Sequence, residues 1–116
     1  MHIGLFFGSF NPVHVGHLII AEAALNHTDI DRLWMIVSPQ NPFKKKANLL
    51  SEYNRLRMAE LGIGDNIRMQ ASNIEFHLAK PSYTIDTLTY LKDKYPKYEF
   101  SLIMGQDNLT HFHKWK

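Results

Sequence analysis

Gly8-Ser9-Phe10-Asn11-Pro12-Val13-His14-Val15-Gly16-His17 follows directly on the first apolar run of the chain. Before it, His2 to Phe7 reads as a strand, with Ile3, Leu5, Phe6 and Phe7 supplying the bulk. After it, Leu18 to Leu25 is rich in Leu, Ile and Ala and reads as a helix. A glycine-bearing turn between strand and helix offers the helix's unpaired N–H groups to an anion. Gly8 allows close backbone approach, Ser9 and Asn11 can bond phosphate or ribose, and Pro12 stiffens the turn. His14 and His17 lie three residues apart, so both rings can face one side of the first helical turn. Two imidazoles there could donate to phosphate oxygens and stabilise charge that grows in a transition state. A nucleotide-binding site is the first hypothesis.

Simpler readings compete with it. Gly8 and Pro12 are turn formers, and a histidine pair can be surface decoration or a cap. Metal ligation by His14 and His17 lacks a third nearby ligand, and the chain contains no cysteine. The stretch is neither the dinucleotide fingerprint with three close glycines nor a phosphate loop ending in Gly-Lys-Ser/Thr. Dehydrogenase and P-loop ATPase readings weaken together.

Outward from this stretch, strands and helices alternate. Asp31 to Ser38 holds Leu33, Trp34, Met35, Ile36 and Val37, the near-continuous apolar run of a strand buried on both faces. The prolines of Ser38-Pro39-Gln40-Asn41-Pro42 force the chain out of that strand. Ser51 is placed to cap a helix reaching about Leu61, with Tyr53, Leu56 and Glu60 along one face and Gly62 and Gly64 ending it. Arg55 and Arg57 on that helix are expected to form surface ion pairs, with a phosphate contact as the alternative. Ile67 to Phe76 is a weaker strand region. Thr84 to about Tyr95 reads as a helix with Ile85, Leu88 and Leu91 as its buried stripe, stopped by Pro96. Glu99 to Met104 is a further apolar strand. The alternation predicts an α/β fold, a Rossmann-like parallel sheet covered by helices.

The chain has 116 residues and a formal net charge of +2. That length suits one compact domain, and residues 1–116 are expected to form a single nucleotide-binding domain. Without cysteine, thiol chemistry and disulfides are excluded. No apolar segment is long enough to span a bilayer and no signal-peptide pattern opens the chain, so a cytoplasmic location is expected, with no membrane partner. The densest cationic cluster is Lys44-Lys45-Lys46. One short cluster does not make the continuous basic stripe of a nucleic-acid binder, so no nucleic-acid partner is expected. Lys44 stands apart from its neighbours because it follows Asn41-Pro42-Phe43 at a strand end.

Four segments together resemble the nicotinate-mononucleotide adenylyltransferases, a branch of the nucleotidyltransferase superfamily marked by His-x-Gly-His. They are the Gly8–His17 stretch, Ser38-Pro39-Gln40-Asn41-Pro42-Phe43-Lys44, Ser82-Tyr83-Thr84-Ile85-Asp86-Thr87-Leu88, and Gly105-Gln106-Asp107-Asn108-Leu109 continued by Phe112-His113-Lys114-Trp115. The resemblance implies transfer of AMP from ATP to nicotinate mononucleotide, giving deamido-NAD and pyrophosphate. It implies that His14 and His17 hold the ATP phosphates, with Lys44 adding positive charge. Gly8, Ser9, Phe10 and Asn11 belong to the same nucleotide-binding turn. Tyr83, Thr84 and Trp115 correspond to positions that contact the pyridine nucleotide, with Trp115 able to stack on the ring. Gly105 and Asp107 fall in the segment near ribose and phosphates. Magnesium would accompany ATP without a cage built wholly of protein ligands.

Several of these residues have structural competitors. Tyr83 could cover the sheet edge, Thr84 or Asp107 could cap a helix, and Trp115 could be core. The resembled family also carries a later Ser/Thr-rich segment ending in arginine, which has no counterpart before Lys116. The chain is therefore expected to be an N-terminal fragment of a longer enzyme, incomplete at its C-terminus and weak or inactive alone. Nicotinamide mononucleotide as acceptor and a non-catalytic nucleotide-binding module are the alternatives, and a homo-oligomer is left open.

Overall fold

The computed structural model describes residues 1–39, 50–78 and 83–103. Four strands, β1 (His2–Gly8), β2 (Arg32–Val37), β3 (Met69–Ser72) and β4 (Glu99–Ile103), alternate with helices α1 (Val15–His27), α2 (Glu52–Ile63) and α3 (Thr84–Lys94). A short 3-10 helix, Ile74–His77, follows β3. All neighbouring strands are parallel, in the order β3-β2-β1-β4.

The period-2 alternation of strand side chains divides the core in two. Phe6, Leu33, Met35, Val37 and Met69 point to the face covered by Ala21, Ala24 and Leu25 of α1 and Ala59 of α2. Ile3, Leu5 and Ile36 point to the other face, where Leu91 and Leu88 of α3 cover them with Trp34 and Phe100. This division follows from handedness. Parallel crossovers are right-handed, so helices that lead the chain one way along the sheet share a face. The chain moves from β1 to β3 in one direction, then returns past β1 to β4, and α3 lands on the opposite face. The chain order reverses between β1 and β4, the topological position at which open parallel sheets bind ligands beyond the carboxyl ends of their strands.

The expected elements recur within a few residues, and the Rossmann-like architecture is as the alternation implied. The stripes differ in detail. Ile85 is 67% exposed, and the buried positions of α3 are Thr87 and Leu91. On α2, Tyr53 is 68% exposed, while Arg55 and Ala59 are buried. Gly62 lies inside α2 and Gly64 forms its cap, with φ at 59°. The weak strand region resolves into β3 plus the 3-10 helix, because Ser72 Oγ accepts the Ile74 N–H and turns the chain.

Candidate active site

At the carboxyl end of β1 the backbone folds sharply back. Phe10 sits at φ 48°, a left-handed conformation that costs a non-glycine residue about 1–3 kcal/mol. Its ring is only 2% exposed and meets the edges of Phe6 and His17, with centroids 5.4 and 4.9 Å away. The hydrophobic contact offsets the strain, and the ring becomes a floor for the histidine. A Cβ on Gly8 would stand 3.1 Å from the Phe10 ring, so glycine at that position admits this return of the chain. The Phe10 side chain is therefore packed inward; the reading of Phe10 as a ligand contact can apply only to its backbone. Ser9 is exposed. Asn11 Oδ1 accepts the Leu50 N–H at 2.9 Å, so that oxygen is engaged in holding the loop.

His14 and His17 together form the start of α1. The Gly16 N–H donates to His14 Nδ1 and the His14 N–H donates to His17 Nδ1, each at 3.0 Å. This is a reciprocal capping box in which imidazoles replace the usual hydroxyl and carboxylate. The rings stack with centroids 3.8 Å apart and planes 29° from parallel. Because each Nδ1 accepts a backbone hydrogen bond, each neutral ring carries its proton on Nε2. Both rings therefore present Nε2–H donors at a helix N-terminus that contains no acidic residue in its first turn. His14 is exposed and His17 half-buried. Gly16 leaves room for that ring, since a Cβ there would lie 2.8 Å from His14 Cε1 and the ring would have to move.

Beneath this turn lies Arg55, wholly buried. Its Nη1 donates to the carbonyls of Ser9 at 2.7 Å and Ser38 at 2.8 Å, and its Nε donates to that of Leu50 at 2.9 Å. Ser38 also reaches across, donating from N and Oγ to the Gly8 carbonyl at 2.9 and 3.1 Å. The expected surface ion pair is thus corrected for Arg55 and observed for Arg57, which faces Glu60 at 3.8 Å. Burial lowers the Arg55 pKa below the ordinary arginine value, and the Glu52 carboxylate opposes that shift.

The start of α3 lies at the same edge on the other face. Tyr83, 61% exposed, is its N-cap without a side-chain cap bond, and Thr84 is the first helical residue. The Tyr83 carbonyl accepts from Asp86 and Thr87 N–H groups. Behind them Thr87 Oγ1 donates to Glu75 Oε2 at 2.5 Å, a buried pair joining α3 to the 3-10 helix. Burial pushes the Glu75 carboxyl up from the usual range, while the Thr87 hydrogen bond pulls it down.

Lys44, Gly105, Asp107 and Trp115 lie outside the described residues. Sequence reasoning placed Arg55 on the surface and did not single out Glu75. One signal bore on Arg55: it is four residues before Ala59, on the buried face of the helix.

A cytidylyltransferase-like family model matches residues 5–116. The chain belongs to the cytidylyltransferase-like family. Among relatives of this cytidylyltransferase-like chain, a Cytophaga hutchinsonii protein named "Probable nicotinate-nucleotide adenylyltransferase" is 59% identical over 116 residues. A Flavobacterium psychrophilum protein of the same name is 54% identical over the same length. The alignments take in 100% of this chain and 60% of each relative. The chain thus spans about three fifths of the relatives' length. Plasmodium falciparum nicotinic acid mononucleotide adenylyltransferase, solved with NaAD, shares the fold at a TM-score of 0.80 and 22% identity. That superposition covers 99% of this chain and 57% of the other. Among the described residues, no helix is long and apolar enough to cross a membrane.

Proposed function

We propose that the chain supplies the nucleotide-binding part of a cytoplasmic adenylyltransferase acting on nicotinate mononucleotide. Residues 1–116 would form one nucleotidyltransferase domain within it. A phosphate oxygen of the acceptor forms a bond to the α-phosphorus of ATP, the bond from that phosphorus to the bridging oxygen breaks, and pyrophosphate leaves with the electron pair. The products are deamido-NAD and pyrophosphate. The nucleophile is already anionic, so the work left for the protein is alignment and charge stabilisation.

The single observation carrying this function is the stacked His14–His17 cap at the point where the chain order reverses. Two preorganised Nε2–H donors beside helical N–H groups match a phosphate chain that gains charge in the transition state. The names of the relatives supply the acceptor. Lys44 would add charge near the phosphates, Gly105 and Asp107 would meet ribose and phosphates, and Tyr83, Thr84 and Trp115 would hold the pyridine nucleotide. Among the described residues no three His, Cys, Asp or Glu side chains converge, so no magnesium cage is assigned to them. Magnesium belongs to this function as the counterion of ATP.

The test is a pyrophosphate-release assay of the parent-length protein with ATP and magnesium, offering nicotinate or nicotinamide mononucleotide. Faster turnover of the acid is expected. Preference for the amide overturns the acceptor, and calorimetric ATP binding without release for either overturns the enzyme in favour of a binding module. Sedimentation of the same sample reads whether homo-oligomers form.

A further inference from the structure

Arg55 belongs to no segment that carries the family resemblance, yet it touches three segments around the histidine turn. Its carbonyl partners lie 46, 17 and 5 residues away in sequence, at Ser9, Ser38 and Leu50. Ser9 leaves β1 toward His14, Ser38 leaves β2, and Leu50 precedes the Ser51 cap of α2. One planar guanidinium thus ties together three chain segments at the carboxyl edge. Nη1 bridges the Ser9 and Ser38 carbonyls, already linked through the Ser38–Gly8 hydrogen bonds, and Nε ties the start of α2 to both.

The placement runs against stability. A cation near the start of a helix opposes its dipole, and Arg55 Nη2 is buried with no hydrogen-bond partner among the described residues. An apolar side chain on the Ala59 stripe would avoid both penalties. Three carbonyls turned inward explain why a cation stands there instead, and those carbonyls belong to the loops of the site.

We propose that Arg55 is a positioning residue for adenylyl transfer: through Ser9, Ser38 and Leu50 it holds the Ser9–His17 turn in register with the chain leaving β2, so that the His14 and His17 donors meet the ATP phosphates. Arg55 is fully buried, so it acts through these loops and makes no contact with substrate. The role rests on the adenylyltransferase function proposed above. Lysine preserves the charge but carries its donors on a single atom, which cannot reproduce the planar fork.

The experiment compares parent-length wild type with Arg55→Lys and Arg55→Met. Thermal melting, kcat, KM for each substrate, and the ring-nitrogen resonances of His14 and His17 are measured. Arg55→Lys is expected to stay folded at the assay temperature. Its kcat should fall by about 10²-fold, the order that a 1 Å misplacement of reacting groups costs. ATP KM should rise, acceptor KM should stay within about twofold, and both histidine ring signals should move, because the turn carrying them has shifted. Arg55→Met should fall further in kcat. In a further variant, Arg55→Ala, millimolar ethylguanidinium should restore part of kcat and move the histidine ring signals back toward wild type.

Wild-type kcat and unshifted histidine signals in Arg55→Lys would overturn the proposal. So would a loss of rate that matches the unfolded fraction in every variant. If wild type turns over neither acceptor, the adenylyltransferase function fails on that result. The histidine resonances of Arg55→Lys then decide only whether Arg55 positions the histidine turn: moved signals uphold that placement and unmoved ones overturn it.

Discussion

Helices α1 and α3 begin at the same edge of one sheet, on opposite faces, and their first turns differ in charge. The α1 start is capped by two imidazoles, has no acid in its first turn and rests above a buried guanidinium. The α3 start has no side-chain cap bond, carries Asp86 in its first turn and rests on a buried carboxyl. Helix dipoles make both ends partly positive, but only the first keeps that field for an incoming anion. At the second, the protein's own carboxylate takes it up. On the function proposed above, that difference would favour the triphosphate at α1 and the pyridine ring at α3.

The sharpest way to break the contrast is His17→Ala in the parent-length enzyme. Losing one preorganised donor should lower kcat by about 10²- to 10³-fold, with acceptor KM little changed. Equal turnover would remove α1 from the chemistry. Thr87→Val tests the other end. It leaves the Glu75 carboxyl without its hydroxyl donor and should cost about 1–3 kcal/mol in denaturant unfolding. Its kinetic effect should fall on acceptor KM; a rise in ATP KM of equal size would show that the two starts are not separate.

Gly16→Ala asks whether ring placement matters at α1. In an ordinary helix this substitution stabilises by roughly 0.5–1 kcal/mol. Here the new Cβ would enter the space of the His14 ring, so kcat should drop about tenfold, or roughly 1.4 kcal/mol of barrier. A stabilised variant with full activity would refute the stacked arrangement.

Glu75→Gln should have the smallest effect, and its sign is fixed by the direction of the Glu75 shift. The native carboxyl titrates above its ordinary value. Between the unfolded and native values the folded protein therefore holds a proton that the unfolded chain has released. Stability falls as pH rises through that window. Glutamine removes the penalty, so the variant should melt higher than wild type at neutral pH. The gain should vanish near about pH 4, the ordinary glutamate range. A gain that is constant with pH would show that Glu75 is not desolvated.

How much of this was legible beforehand differs between the two helix starts. At α1 the signals are local: an apolar run, a glycine turn and two histidines at helical spacing, all within the first 17 residues. β2 was equally plain, because burial on both faces needs an unbroken apolar run. The spacing to Ala59 bore on the burial of Arg55, but its partners could not be read, since they come from segments up to 46 residues away and carbonyls leave no mark in a sequence. Ile85 misled because apolar spacing alone cannot tell which side of α3 meets the sheet, and Thr87, a polar residue, occupies the buried position. The segments bearing Lys44, Gly105, Asp107 and Trp115 lie outside the described residues.

The strand order also governs how the molecule must be made. Among the described strands, β1 lies between β2 and β4, and β4 is made long after it. His2 cannot meet Glu99 until nearly a hundred residues have been polymerised. At about 5–20 residues per second, that flank stays open for on the order of ten seconds. During that interval its unpaired amides are a template for strangers, and the hazard is timed by translation, not by folding.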